Sequence, residues 1–371
     1  MTILIIGYTH DKYDTRVLRT VQALSKVSKV IYQYLTYTDE SPYEEGNVRY
    51  FPTKCVDNRE GSPLKKLFDR RPLDKEIYRL IATEEYDVLY MHHFLATIPL
   101  KPFEIAKKRG KKVIYDVHEY HPQNFLAELS GTIGKIKERF IWNILGKQLR
   151  LCDLGIFVSE EMRDDIVNTL GITIGKTFIM SNYALMSLKP DINKKRKEIS
   201  LVGLVSRKID EEKKLLEALT TDGFLFKVIG MDSKEFDDVS HEHVGFLPYP
   251  DMMQELSKSA FSLISFNTLR KRKIYKNDLY SLPNKYYDSI AAGTPVIVKE
   301  SFVSMAKQVR DLGLGVIINT LTVEESKKRI LDAYNNYENI LKNIEKHQDK
   351  FVWNKDKEQE FIKRIEEAIK S

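Results

Sequence analysis

The chain has 371 residues, 42% of them hydrophobic and 30% charged. That globular composition excludes intrinsic disorder and, at roughly 150 residues per domain, fits two or three domains. Its 59 Lys and Arg against 53 Asp and Glu leave a net +6, too small a surplus to mark a dedicated nucleic-acid binder.

Two cysteines, Cys55 and Cys152, supply no disulfide framework and fit a reducing compartment. No apolar run reaches the roughly 18 residues of a membrane-spanning helix. The opening run Ile3-Leu4-Ile5-Ile6 has no basic segment before it and is too short for a signal peptide. It reads as a buried strand, and the expected location is the cytoplasm, free or on the inner face of the plasma membrane.

From there short β-type runs alternate with helical patterns. Strands are expected at 3–6, 30–34, 88–91, 112–115, 155–158 and 177–180, with helical spacing at 14–26, 73–84 and 98–109 between them. This is the signature of βαβ units and a mostly parallel sheet. The pattern lapses at 188–197, where Pro190 and a basic run leave no apolar face, so a linker is expected there. Strands then resume at 199–204, 224–229, 260–265, 295–298 and 316–318, and an amphipathic helix closes the chain at 352–369. The expectation is an α/β protein of two domains, 1–188 and 198–354, hinged near residue 190. A helix from about residue 355 is expected to pack back on the first domain.

Several motifs are missing. There is no G-x-G-x-x-G after the first strand, no P-loop and no G-x-S-x-G elbow, which removes the main support for dehydrogenase, kinase and serine-hydrolase readings. His118-Glu119-Tyr120-His121 lacks H-E-x-x-H spacing and sits in a loop after a strand, so no metal site is expected from it.

The most informative stretch is Ser281-Leu282-Pro283-Asn284-Lys285-Tyr286-Tyr287-Asp288-Ser289-Ile290-Ala291-Ala292-Gly293-Thr294-Pro295-Val296-Ile297. Pro283 suits the start of a helix because its missing N–H would be unpaired there anyway. The N–H groups that follow, at Asn284 and Lys285, point out of the positive end of the helix dipole and favour an anion such as a diphosphate. Asp288, a little over one turn on, has the reach to accept two hydrogen bonds from a ribose diol. Together these residues resemble the nucleotide-binding helix of the GT-B-fold retaining glycosyltransferases of family 4, in the subgroup reading P-N-K and D-x-H-E.

The resemblance extends along most of the chain, and it implies roles. Arg207, after Val202-Gly203-Leu204-Val205-Ser206, and Lys213 would clamp the donor diphosphate, where fixed cations stabilise a leaving group's developing charge; a solvated helix face is the other reading of Lys213. His118, at the end of Val113-Ile114-Tyr115-Asp116-Val117, would face the donor sugar. Its place past a strand's carboxyl end is where open α/β sheets put ligand-binding groups. Gly7 would let backbone approach a ligand. Asp14 would cap the first helix and Arg16 contact an acceptor, or the two would pair with each other. His92 and His93 lie at the same sheet edge as acceptor candidates. Val244 and Phe246, in His243-Val244-Gly245-Phe246, resemble a loop whose backbone recognises the base. Most family members carry a Glu eight residues before the position of Asp288; here that residue is Tyr280, leaving Asp278 or Asn277 as substitutes.

The implied architecture is two Rossmann-like domains across a deep cleft. The implied activity is retaining, metal-independent, cofactor-free transfer of a hexosyl group from a UDP- or GDP-type sugar. A glycan or lipid-linked saccharide would accept it, in bacterial surface polysaccharide synthesis. The rivals are a sugar-nucleotide 2-epimerase of the same fold and a non-catalytic nucleotide-sugar-binding subunit. The basic, aromatic segment 133–151 suits either an anionic membrane surface or a helix packed on the first domain with a wet basic side.

Overall fold

The computed structural model describes residues 1–55, 63–94, 98–120, 131–203, 209–230, 236–265, 269–270, 273–274, 276–319 and 322–370. It divides into two units, Met1–Met180 with Asp356–Ser371, and Ser181–Lys355.

In the first unit the strands are β1 (Thr2–Asp11), β2 (Lys29–Thr36), β3 (Tyr43–Glu45), β4 (Val48–Lys54), β5 (Val88–His92), β6 (Lys112–Val117), β7 (Leu154–Phe157) and β8 (Thr177–Ile179). They form one sheet in the order β3-β4-β2-β1-β5-β6-β7-β8, parallel throughout except for the β3–β4 pair. Ile3, Leu4, Ile5 and Ile6 are each 0% exposed. A run apolar on both faces is what a central parallel strand covered by helices demands, and each such side chain contributes about 1.5–3 kcal/mol by leaving water. β4 lies outside the expected strands and carries Pro52, which cannot donate to a ladder. β3 pairs only with Val48, Arg49 and Tyr50, so on that side the ladder has ended before Pro52.

The last helix, Lys355–Lys370, joins this unit from Asp356 onward. Its Phe361 is 0% exposed and meets the rings of Tyr90 at 6.4 Å and Phe178 at 6.5 Å. Lys26 Nζ pairs with Glu358 Oε1 at 2.7 Å.

The second unit holds β9 (Arg196–Val202), β10 (Leu225–Ile229), β11 (Glu242–Gly245), β12 (Ser259–Leu263), the short pair β13 (Leu269–Arg270) and β14 (Lys273–Ile274), β15 (Val296–Lys299) and β16 (Gly315–Ile318). Its parallel sheet runs β11-β10-β9-β12-β15-β16. The stretch expected as a linker packs inside this unit: Leu188 N donates to Ala291 O at 2.7 Å. Pro190 lies so close to Gly293, at φ +72°, that a Cβ there would stand 2.9 Å from Pro190 Cα. Among the described residues no helix is long and apolar enough to cross a membrane.

Candidate active site

In each sheet the strand order reverses beside the first strand of its unit, between β1 and β5 and between β9 and β12. Ligands of open α/β sheets gather at the carboxyl ends of the strands around such points.

At the first of these, β1 loses regular pairing with β2 between Ile6 and Asp11. The Gln33 side chain compensates by accepting from Tyr8 N at 2.9 Å. Among the described residues, Tyr8 (φ 57°) and His93 (φ 28°) are the non-glycine residues with positive φ, one within the irregular part of β1 and one just past the end of β5; such strained backbone concentrates at functional sites. At Gly7 the backbone comes close to the neighbouring strand. A Cβ there would stand 2.8 Å from the Gln33 carbonyl oxygen, so the close approach it permits is to β2.

β1 with the helix after it (Thr15–Ser25), β5 and β6 then deliver a polar cluster. Asp116, at 0% exposed, takes Arg16 Nη2 on Oδ1 at 2.7 Å, with Arg16 Nε at 3.2 Å and the Tyr90 hydroxyl at 3.0 Å from Oδ2. Arg16 Nη1 also donates to Met180 O at 2.6 Å. Arg16 thus pairs with Asp116 rather than Asp14, and at 5% exposed it has little surface left for an acceptor. Asp14 caps the first helix, accepting from Arg16 N and Val17 N.

His92 Nδ1 lies 2.9 Å from His118 Nε2, and both nitrogens are 3.5 Å from Asp116 Oδ2. His10 stands over them, its ring 5.0 Å from that of His118, with Nδ1 at 2.6 Å from Gly7 O. Burial lowers His92 well below the ordinary histidine value, against the pull of Asp116. It lowers His118 in the same way. Burial would raise Asp116, but Arg16 and the histidines hold it well below the usual carboxylate range. The resulting state is one carboxylate facing two neutral rings.

Among the described residues, His92 Nε2 is buried without a hydrogen-bond partner. Orphaned buried donors are rarer than orphaned acceptors, which favours the proton on His92 Nδ1, donated to His118 Nε2. His118 then keeps an Nδ1–H. Its side chain is 11% exposed while that of His92 is 0% exposed, so His118 is the member that can meet a ligand.

The ligand atoms of His92, Asp116 and His118 all lie within 4.8 Å of one another, close enough to hold a metal ion. The carboxylate, however, already carries a guanidinium and a phenol, and a dication would stand beside Arg16. A hydrogen-bonded relay fits these residues better. His121, in the motif weighed above, lies outside the described residues.

In the second unit, Pro283 precedes the Asn284–Ala291 helix as its N-cap. Asn284 is exposed, Lys285 half-buried and Asp288 buried. The Tyr249 hydroxyl donates to Asp288 Oδ1 at 2.7 Å and accepts from Leu185 N at 3.0 Å. Burial pushes Asp288 up to about 7, with the Tyr249 bond opposing. Val244, on β11, is half-buried, and Phe246 is 87% exposed.

Lys213 Nζ pairs with Asp238 Oδ1 at 2.8 Å. Arg207 lies outside the described residues. The neighbouring Glu212 turns inward at 2% exposed, where it accepts from Ser265 Oγ at 2.5 Å and pairs with Lys299 Nζ at 2.5 Å. Asp278, a substitute considered for the missing Glu, is buried, and Tyr280 is half-buried.

Residues 15–182 match the family model for Glycosyltransferase Family 4, and residues 202–363 match that for the Glucosyltransferase 3-like, C-terminal domain. No curated protein matches the sequence. Among solved structures, Anabaena HepE in complex with UDP and glucose has a similar fold, with TM-score 0.64 and 12% identity over 99% of each chain. Sucrose-phosphate synthase from Thermosynechococcus elongatus aligns with TM-score 0.64 and 12% identity over 95% of each chain. WaaG, a glycosyltransferase involved in lipopolysaccharide biosynthesis, aligns with TM-score 0.63 and 10% identity over 94% of this chain and 95% of that one. At such identities the likeness is one of fold, and the fold is the GT-B α/β architecture with its two parallel sheets.

Proposed function

We propose that this chain, with its Glycosyltransferase Family 4 domain and its Glucosyltransferase 3-like C-terminal domain on a GT-B fold, transfers a sugar from a nucleoside-diphosphate sugar to a hydroxyl of a glycan or lipid-linked saccharide. The second unit holds the nucleotide: the start of the Asn284–Ala291 helix takes phosphate oxygens, and Asp288 takes the ribose diol. A UDP-sugar is the favoured donor class, given the UDP in HepE. Surface polysaccharide assembly is the favoured setting, given the role of WaaG.

The observation that carries the reading is the placement of His118. It is the partly exposed end of a buried His–Asp–Arg relay, at the strand edges of the domain that matches the glycosyltransferase family. In the reaction the bond from the anomeric carbon to the phosphate oxygen breaks. The acceptor oxygen attacks from the same face, and its proton passes to the departing phosphate oxygen. Configuration is retained. Arg207 and Lys213 meet the charge on the leaving diphosphate, so no metal is required. A neutral His118, held by the His92 proton that its Nε2 accepts, donates Nδ1–H to a sugar hydroxyl without adding a cation beside the developing positive charge.

The test is diphosphate release by the purified chain from UDP- and GDP-sugars, with and without saccharide acceptors and with a chelator present. Acceptor-dependent release and an unchanged anomer in the product support the reading. An epimerised nucleotide sugar formed without acceptor points to the epimerase, and binding without turnover to a non-catalytic subunit.

A further inference from the structure

The Gly131–Leu151 helix turns one face inward, where Ile141, Ile144, Leu145, Gln148 and Leu149 are buried. Its other face is unusual for a wet surface. Ile133, Ile136 and Phe140 are 62%, 64% and 62% exposed, and spacings of three and four residues set them on one stripe. Single exposed apolar residues are ordinary; a contiguous stripe of three marks an interaction surface.

The charge around it says what kind of partner fits. Lys135, Arg139, Lys147 and Arg150 are all exposed, and among the described residues none of them has an ion-pair partner. The helix's single acid, Glu138, is half-buried. Protein interfaces are depleted in lysine and in charge at their cores. An apolar stripe ringed by cations is instead the pattern of a helix lying in the headgroup region of an anionic bilayer.

We propose that this face of the Gly131–Leu151 helix docks the protein on an anionic lipid surface, with Ile133, Ile136 and Phe140 entering the headgroup–acyl boundary and Lys135, Arg139, Lys147 and Arg150 meeting lipid phosphates. The proposal uses none of the residues assigned to sugar transfer, so it stands or falls separately from that activity.

The test is co-sedimentation of the full chain with vesicles of phosphatidylcholine alone and of phosphatidylcholine mixed with phosphatidylglycerol. Binding is expected only to the anionic vesicles and weakens with added salt, which screens surface charge. Ile136→Ser with Phe140→Ser abolishes it, while melting curves stay at wild type because the replaced side chains are exposed. Lys135→Gln and Arg139→Gln each weaken it about fivefold. Failure of the wild type to bind anionic vesicles, or undiminished binding by the double serine variant, overturns the proposal. So does concentration-dependent dimerisation that Phe140→Ser removes, since a second copy of the chain would then be the occupant.

Discussion

Tyr249 and Asp288 share a hydrogen bond of 2.7 Å from hydroxyl to carboxylate oxygen, in surroundings that leave Asp288 only 7% exposed. Among the described residues the hydroxyl is the one partner that stabilises the charged form, and burial outweighs it, which is why the carboxyl sits at about 7. A ribose diol would bring two further donors to the same group.

Asp288 therefore makes stability depend on pH and, if it takes the ribose diol as proposed, affinity as well, in opposite senses. The unfolded carboxyl loses its proton near about 4 and the folded one at about 7. Its contribution to stability is full below about 4 and falls as pH rises toward 7, by at most about 4 kcal/mol. Urea denaturation of the ligand-free protein across this range shows the fall, and Asp288→Asn flattens it. Nucleoside-diphosphate binding favours the carboxylate, so affinity rises as pH passes 7. Asp288→Ala weakens binding at least about tenfold, the loss of charged hydrogen bonds worth about 1.5–3 kcal/mol. Calorimetry showing unchanged affinity removes Asp288 from the site.

His118→Ala leaves nucleoside-diphosphate affinity near wild type and lowers sugar transfer by about 10²–10³, because its contact is realised mainly in the transition state. Transfer at the wild-type rate returns His118 to an ordinary loop residue.

Breaking the Arg16–Asp116 pair damages the first unit itself. Asp116→Asn leaves a guanidinium at 5% exposed without its carboxylate, and removing one partner of a buried ion pair costs about 3–5 kcal/mol. Chemical denaturation measures it. A cost near zero would mean that water or another group can replace the carboxylate.

Lys213 and its partner Asp238 separate a diphosphate contact from a surface pair. If Lys213 meets the leaving diphosphate, Lys213→Ala lowers turnover while Asp238→Asn leaves it intact, since Asp238 only holds the amine in the absence of donor. Equal, small effects on both mean that the pair is merely an exposed salt bridge, for which about 0–1 kcal/mol of stability is usual.

The strand–helix alternation and the helix bearing Asp288 were legible because each is written in consecutive residues: the apolar run Ile3–Ile6, or Pro283 before a helix and Gly293 after it. The relay was not. Arg16 and Asp116 are 100 positions apart and meet only because the helix after β1 packs beside β5 and β6 in a strand order that spacing does not reveal. Tyr249, 39 positions from Asp288, was hidden for the same reason. Arg16 illustrates the point from the other side: Asp14 looked like its partner because it is near in sequence, but Asp14 is occupied with helix N–H groups. For the Gly131–Leu151 helix, sequence left a packed helix with a wet basic side at least as open as a membrane face, and the exposure of Ile136 and Phe140 is the observation on which the docking proposal rests.

The first unit is assembled from two separated pieces of chain, and this bears on how the protein is made. Domains emerging from the ribosome generally fold in order, the N-terminal one first. Here the core around Tyr90 and Phe178 lacks Phe361 until the whole second unit, Ser181–Lys355, has been synthesised. The unit begun first is thus the one completed last. During that interval the surface later covered by the Lys355–Lys370 helix stays open, and transiently exposed apolar surface of this kind is prone to aggregation.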